Sequence, residues 1–186
     1  MKITSGEYKG RNILVPEHGV KPTSEKVRQA VMSILRPVLA GASVLDIFCG
    51  TGAVGIEALS NGAAVCCFID HNFRVLKLLK QNLDTIVADP SRYRVLKHNC
   101  TTFVDAFSHD DELPVFDIVF ADPFYDDTRT TFERIYENVF RVLKPGGVFI
   151  IEHGEKCAFS EYPYFTDTRN YGDTWITTFI YRKAEV

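Results

Sequence analysis

The sequence has no apolar run long enough to cross a membrane. The longest, Ala63 to Ile69, falls far short of the roughly 20 residues that a spanning helix needs. The opening MKITSGEYKG lacks the apolar stretch of a signal peptide, so a cytoplasmic location is expected, with no membrane partner. Cysteine is sparse and oddly numbered: five residues (Cys49, Cys66, Cys67, Cys100, Cys157) with no C-x-x-C pair, and the five histidines show no metal-ligand spacing. That argues against a disulfide framework or a zinc site and for reduced, packing cysteines, with Cys66 and Cys67 on opposite faces of a strand. No repeat or low-complexity tract is present. What is there is globular: 186 residues, 46% hydrophobic and 24% charged, enough for one domain with a sizeable core.

A net positive charge is also missing, since the whole carries −3, yet the basic residues are unevenly distributed. Residues 1–40 hold seven Lys/Arg and three Glu, a net +4, whereas the remainder is −7. A basic segment on an acidic body suits a phosphate-contacting arm; an ordinary solvated face is the alternative. Residues 1–40 are therefore expected to form an N-terminal extension and 41–186 the main domain.

Residues 2–15 predict a short antiparallel hairpin, Lys2–Ser5 and Arg11–Val15 about a turn at Gly6–Gly10. Thr23 or Ser24 can cap a helix whose first turn holds Glu25 and whose apolar face is Val27, Val31, Ile34 and Leu35; Pro37 should end or bend it. Strands and helices then alternate. Strands are predicted at Val44–Phe48, Val65–Ile69, Tyr93–Leu96, Phe116–Ala121 and Val148–Ile151, with two more near Tyr164–Thr168 and Thr174–Tyr181. Helices fall at Ile56–Leu59, along Phe73, Leu76, Leu79 and Leu83, at Thr101–Phe107, and along Phe132, Ile135, Tyr136, Val139 and Leu143. Lys144-Pro145-Gly146-Gly147 reads as a turn. The expected fold is α/β and Rossmann-like, a mostly parallel seven-stranded sheet with helices on both faces. Such sheets bind ligands beyond the carboxyl ends of their strands.

The first such place reads Leu45-Asp46-Ile47-Phe48-Cys49-Gly50-Thr51-Gly52-Ala53-Val54-Gly55. Gly50, Gly52 and Gly55 fit G-x-G-x-x-G, and Asp70 ends the next strand, where a carboxylate can accept from both hydroxyls of an adenosine ribose. Asp46 separates two cofactor classes. A pyrophosphate would be repelled by it, which disfavours a nicotinamide cofactor. S-adenosylmethionine carries a sulfonium and an ammonium and no phosphate, so a carboxylate there suits it; holding the glycine loop is Asp46's structural alternative. Asn99, after the third strand, could read an adenine edge or simply form a turn. The candidate cofactor contacts are Asp46, Phe48, Gly50, Thr51, Gly52, Asp70, Asn99 and Cys100.

After the fourth strand comes Asp122-Pro123-Phe124-Tyr125, similar to the D/N-P-P-Y/F motif of amino-group methyltransferases. The lone pair of an exocyclic base amine is delocalised into the ring. Two acceptors, the Asp122 carboxylate and the Pro123 carbonyl, can bind its two hydrogens and aim the lone pair at a methyl. Tyr125 or Phe124 can stack on the base. A plain strand-ending turn is the alternative.

Taken together these stretches resemble the RsmD family, bacterial methyltransferases of the N2 amine of a guanine in 16S ribosomal RNA. Ile3-Thr4-Ser5-Gly6 with Lys9-Gly10-Arg11 resembles its hairpin, and Lys21-Pro22-Thr23-Ser24-Glu25-Lys26-Val27-Arg28 its R-P-T-x-x-x-V-R signature. Leu45 to Ala58 resembles its glycine loop and helix, and Tyr171-Gly172-Asp173-Thr174 a C-terminal stretch of some members. Two departures stand out: Phe124 replaces the second motif proline, and Asp70 stands where Glu is common. The resemblance implies S-adenosylmethionine as cofactor, the small ribosomal subunit as partner, Asp70 at the ribose, Asn99 near the adenine, and Asp122 to Tyr125 at the guanine. It also implies that Lys9, Arg11, Lys21 and Arg28 lie near RNA or the site mouth, with salt bridges to nearby Glu the alternative. A monomer without a metal is expected. The competing functions are an amino-methyltransferase acting on another nucleic acid or a protein, and a nicotinamide-dependent oxidoreductase.

Overall fold

A computed structural model describes residues 1–16, 22–107, 116–123, 128–154 and 159–182. Its elements run α1 (Glu25–Leu39), β1 (Ser43–Ile47), α2 (Ala53–Ser60), β2 (Val65–Asp70), α3 (Phe73–Ile86), β3 (Tyr93–Lys97), α4 (Cys100–Phe107), β4 (Phe116–Ala121), α5 (Thr128–Val139), β5 (Leu143–His153), β6 (Phe165–Asn170) and β7 (Trp175–Ile180). One seven-stranded sheet has the order β3-β2-β1-β4-β5-β7-β6. The five strands β3 to β5 run parallel, and β7 lies antiparallel between β5 and β6. The chain winds outward from β1 through β2 to β3, then crosses back to β4 on the other side of β1. The carboxyl ends of β1 and β4 therefore flank the point where the winding reverses, the place where open α/β sheets form a ligand crevice.

The central strands are apolar on both faces because helices cover both. Val44, Cys66 and Phe68 face one cluster with α1, α2 and α3; Leu45, Ile47 and Ile69 face the other with α4 and α5. Ile3, Tyr8 and Ile13 pack into the first cluster, so the N-terminal segment shares the core of the sheet. Its hairpin is narrower than its sequence suggests. Only Lys2 and Asn12 pair as a bridge, supported by Ile3 N to Arg11 O at 3.0 Å and Ile13 N to Met1 O at 2.8 Å.

Ser24 caps α1, its hydroxyl accepting from Val27 N at 3.3 Å. Pro37 lies inside the helix, in its last turn, and the helix continues to Leu39. Two boundaries are corrected. Phe48 has left the strand and adopts a positive φ of 62°. Leu143 belongs to β5 and pairs with Phe116, and a register shift between Phe116 and Ile118 absorbs the Lys144–Gly147 stretch, which is strand rather than turn. Among the described residues no helix is long and apolar enough to cross a membrane.

Candidate active site

The crevice holds a cavity of about 500 Å³, the size range of small-molecule sites. Four parts of the chain build it: the glycine loop after β1, the end of β2 with Asp70, the end of β4 with Asp122 and Pro123, and the Pro22–Ser24 segment that leads into α1. Glu152 of β5 and the β6–β7 turn (Tyr171, Asp173, Thr174) close the far side.

The loop needs its glycines for different reasons. Gly50 and Gly52 take positive φ values of 53° and 79°, which an L side chain rarely adopts. Gly55 is in α2, and a Cβ there would sit 2.3 Å from a ring carbon of Phe68; its hydrogen lets α2 lie close on β2. Phe48 takes a positive φ without being glycine, a conformation held only where the surroundings over-determine it. Here the Phe48 amide donates to Cys100 Sγ at 3.2 Å, and the Cys49 amide to the Ile69 carbonyl at 3.0 Å. From the other side Asn82 of α3 holds the loop, donating to the Thr51 carbonyl at 3.2 Å while bonding both backbone groups of Leu14.

Asp46 is 2% exposed and its Oδ2 accepts from the Gly55 amide at 3.0 Å. Burial pushes its carboxyl up to about 8, with Asp122 and Asp70 adding and the Gly55 amide opposing. Asp70 accepts from the amides of Gly50 at 3.0 Å and Asn72 at 2.8 Å, one on each oxygen, so it ties the glycine loop to the end of β2 while lining the cavity. Asp122 accepts at Oδ2 from the Thr23 hydroxyl at 3.2 Å. Burial pushes its carboxyl up to about 7, against the pull of Thr23.

With Glu152 and Asp173, five carboxylates line the cavity, and among the described lining residues there is no Lys or Arg. An anionic ligand such as a pyrophosphate would meet that field with repulsion, and a cationic ligand with attraction. The burial that raises Asp46 and Asp122 is a desolvation penalty that a bound cation offsets. Among the described residues no group of three His, Cys, Asp or Glu is placed to hold a metal ion.

Asp46, Phe48, Gly50, Thr51, Asp70, Asp122 and Pro123 all reach the cavity wall. Gly52 shapes the loop just behind it. Asn99 Oδ1 accepts from Thr101 N at 3.0 Å and Thr101 Oγ1 at 2.7 Å, forming the turn that starts α4, and Asn99 is not among the described lining residues. Cys100 is buried behind the wall, positioning Phe48. The mouth of the site does not receive Arg28. Its side chain is 1% exposed, facing Glu57 at 3.4 Å and donating to the carbonyls of Thr23 at 2.7 Å and Lys2 at 2.8 Å. The salt-bridge alternative holds there, because a buried guanidinium must have partners. Arg11 donates to the carbonyl of Ile86 at 2.8 Å, at the end of α3 remote from the crevice. Lys9, two residues earlier, is exposed. Lys21, Phe124 and Tyr125 lie outside the described residues.

Sequence reasoning missed Thr23, Glu152 and Asp173 as lining residues. Thr23 invites reading as a cap alone. Glu152 had a signal, a carboxylate directly after the apolar run Val148–Ile151.

Comparison with known proteins agrees with this geometry. Residues 1–180 match the family described as Conserved hypothetical protein 95. The chain is 28% identical over 162 residues to YlbH of Bacillus subtilis, a candidate rRNA methyltransferase, covering 87% of this chain and 86% of that one. It is 37% identical over 105 residues to Ribosomal RNA small subunit methyltransferase D of Escherichia coli, covering 56% of this chain and 52% of that one. The structure of yhhF from Escherichia coli, solved as a candidate methyltransferase, superposes with a TM-score of 0.82 at 27% identity, over 98% of both chains. The reversal-point crevice, the glycine loop and the cation-seeking cavity define the class, a Rossmann-like S-adenosylmethionine-dependent methyltransferase. Within that class the chain belongs to the RsmD family, also described as Conserved hypothetical protein 95.

Proposed function

We propose that this protein transfers a methyl group from S-adenosylmethionine to the exocyclic N2 amine of a guanine in 16S rRNA of the small ribosomal subunit. The observation that carries the reading is the meeting in one cavity of the glycine loop with Asp122-Pro123, under five carboxylates. The names of the Escherichia coli and Haemophilus influenzae relatives, both small-subunit rRNA methyltransferases, supply the substrate class.

S-adenosylmethionine supplies an electrophilic methyl on a sulfonium, and its charges suit this donor set. Gly50, Thr51 and Gly52 would hold it through their backbone, Asp46 would supply negative charge, and Asp70 would accept from the ribose hydroxyls on the lone pairs left by its two amide bonds. The target amine has two hydrogens and meets two acceptors, Asp122 Oδ1 and the Pro123 carbonyl. That pairing turns the nitrogen lone pair toward the methyl, and orientation with electrostatics provides most of the acceleration. Asp122 does not need to be a strong base, because the nitrogen becomes acidic once methylated. Phe124 or Tyr125 stacks on the base. Lys9 and Lys21 are left as arm contacts to RNA, and the enzyme acts as a cytoplasmic monomer.

The test is transfer of labelled methyl to small subunits lacking the modification, with nucleoside analysis. Labelled N2-methylguanosine is the expected product. No transfer to subunits or free rRNA, with cofactor binding intact, would overturn the substrate assignment.

A further inference from the structure

Arg28 is buried and Arg11 is turned away from the crevice, so neither presents its charge at the site mouth. Further exposed positive charge lies on α3 and β3, beyond the cavity-lining end of β2. Asn72 lines the cavity, and the next residue, Phe73, opens α3 with 65% of its surface exposed, the most exposed of the large apolar side chains among the described residues. Lys77 and Lys80 follow at i+4 and i+7, on the same stripe of the helix, and both are exposed. On the neighbouring edge strand β3, the Lys97 ammonium lies 5.8 Å from the Phe73 ring centroid. None of these three lysines forms an ion pair with a described residue. Asp84, one turn past Lys80, is the acidic member of the stripe and accepts from the Tyr93 hydroxyl at 3.1 Å.

We propose that this stripe, Phe73 with Lys77, Lys80 and Lys97, is a footing for single-stranded RNA next to the target nucleotide, with a base stacked on Phe73 and phosphates along the lysines. The proposal rests on the reading of the chain as an RNA methyltransferase. An aromatic platform flanked by unpaired cations is the chemistry that binds a single strand without reading its sequence. The location fits: the ends of β2 and β4 are two strand spacings apart, about 10 Å, so a few nucleotides span from Asp122 to Phe73. The contrast in charge fits as well, since the cavity is acidic and would hold no phosphate, leaving the backbone to bind outside it.

The experiment is filter binding of transcribed 16S rRNA by the full chain at several salt concentrations, with calorimetry of cofactor binding on the same samples. Lys77→Glu/Lys80→Glu is expected to lose at least about tenfold in RNA affinity and to flatten the salt dependence by about one to two in log–log slope, with cofactor affinity unchanged. Phe73→Ala is expected to lose a few-fold without altering the slope. Lys2→Glu/Lys9→Glu is expected to lose less affinity than Lys77→Glu/Lys80→Glu, since of that pair only Lys9 is an arm contact. Wild-type affinity and slope in the Lys77→Glu/Lys80→Glu protein would overturn the proposal. So would a loss confined to Lys2→Glu/Lys9→Glu, which would return the contact to the N-terminal arm, or an absence of RNA binding by the wild type. Failure of methyl transfer with RNA binding and its dependence on Lys77 and Lys80 intact would count against the catalytic reading alone.

Discussion

The Thr23 hydroxyl donates to Oδ2 of Asp122 at 3.2 Å, joining the segment before α1 to the end of β4 across 99 residues of sequence. The bond occupies Oδ2; in the proposed reaction Oδ1 takes the substrate amine. It also opposes the burial that raises Asp122. Removing it in Thr23→Val raises the Asp122 pKa further, so the acid limb of the pH–rate profile should move to higher pH, and Thr23→Ser should restore it. Single-turnover rates from pH 5.5 to 9 decide this. A profile for Thr23→Val that is lower but unshifted would make Thr23 a packing residue.

The two raised carboxyls give cofactor binding a pH dependence of defined sign. Asp46 and Asp122 titrate near 8 and 7 in the folded protein, above the ordinary carboxyl value of 3.8. Between about pH 4 and 8 the folded state thus binds more protons than the unfolded one, and their contribution to stability falls as pH rises through that window. A cation favours the ionised forms. Without ligand, the melting temperature should fall between pH 6 and 8.5, while affinity for S-adenosylmethionine rises by about tenfold over the same range. Asp46→Asn should reduce that dependence and leave the part that titrates with Asp122 near 7. Calorimetry in buffers of different ionisation enthalpy would detect the proton released on binding, and equal affinities at pH 6 and 8.5 would refute the linkage.

Asp70 and Asp122 should separate binding from chemistry. Asp70→Ala removes the proposed ribose contact together with the acceptor for the Gly50 and Asn72 amides, so cofactor affinity should weaken by about 1.5–3 kcal/mol and the protein should melt lower. Asp122→Asn is nearly isosteric and removes a buried charge. It should abolish methyl transfer with no loss of thermal stability, and at pH 6, where Asp122 is already mostly protonated in the wild type, leave cofactor affinity close to wild type. A fully active Asp122→Asn enzyme would remove Asp122 from the mechanism.

Most of the sheet was legible because its signals are local. Phe116–Ala121 is a short, largely apolar stretch between Pro114 and Asp122, and its ends were read correctly. The glycine loop was legible for the same reason: Gly50, Gly52 and Gly55 sit at a spacing that one turn and one close helix–strand approach demand. What failed was non-local. Leu143 continues the apolar spacing of α5, and only its pairing with Phe116 makes it strand. Asn99 was open to two readings, an adenine edge or a turn, and only the fold shows its oxygen engaged in the turn that starts α4. Thr23 and Asp173 reach the cavity through chain crossings that no spacing encodes.

Arg28 is the sharpest of these cases and carries the last prediction. In sequence it is a surface-like arginine in a basic segment; in the fold it is buried against Glu57, 29 residues away, with two backbone carbonyls on its remaining donors. Glu57 Oε1 meanwhile accepts from the amides of Thr4 at 2.8 Å and Ser5 at 3.0 Å. The pair thus fixes the hairpin and the Thr23 backbone together. Removing one partner leaves a buried charge uncompensated, so Arg28→Met should destabilise by about 3–5 kcal/mol in urea unfolding. Arg28→Lys should recover only part, because an ammonium cannot reproduce the planar fork that serves Glu57, Thr23 and Lys2. Glu57→Gln in the Arg28→Met background should cost far less than in the wild type, the mark of coupled partners. Additive losses in the double variant, or wild-type stability with weakened RNA binding in Arg28→Met, would return Arg28 to the surface role that its sequence position suggests.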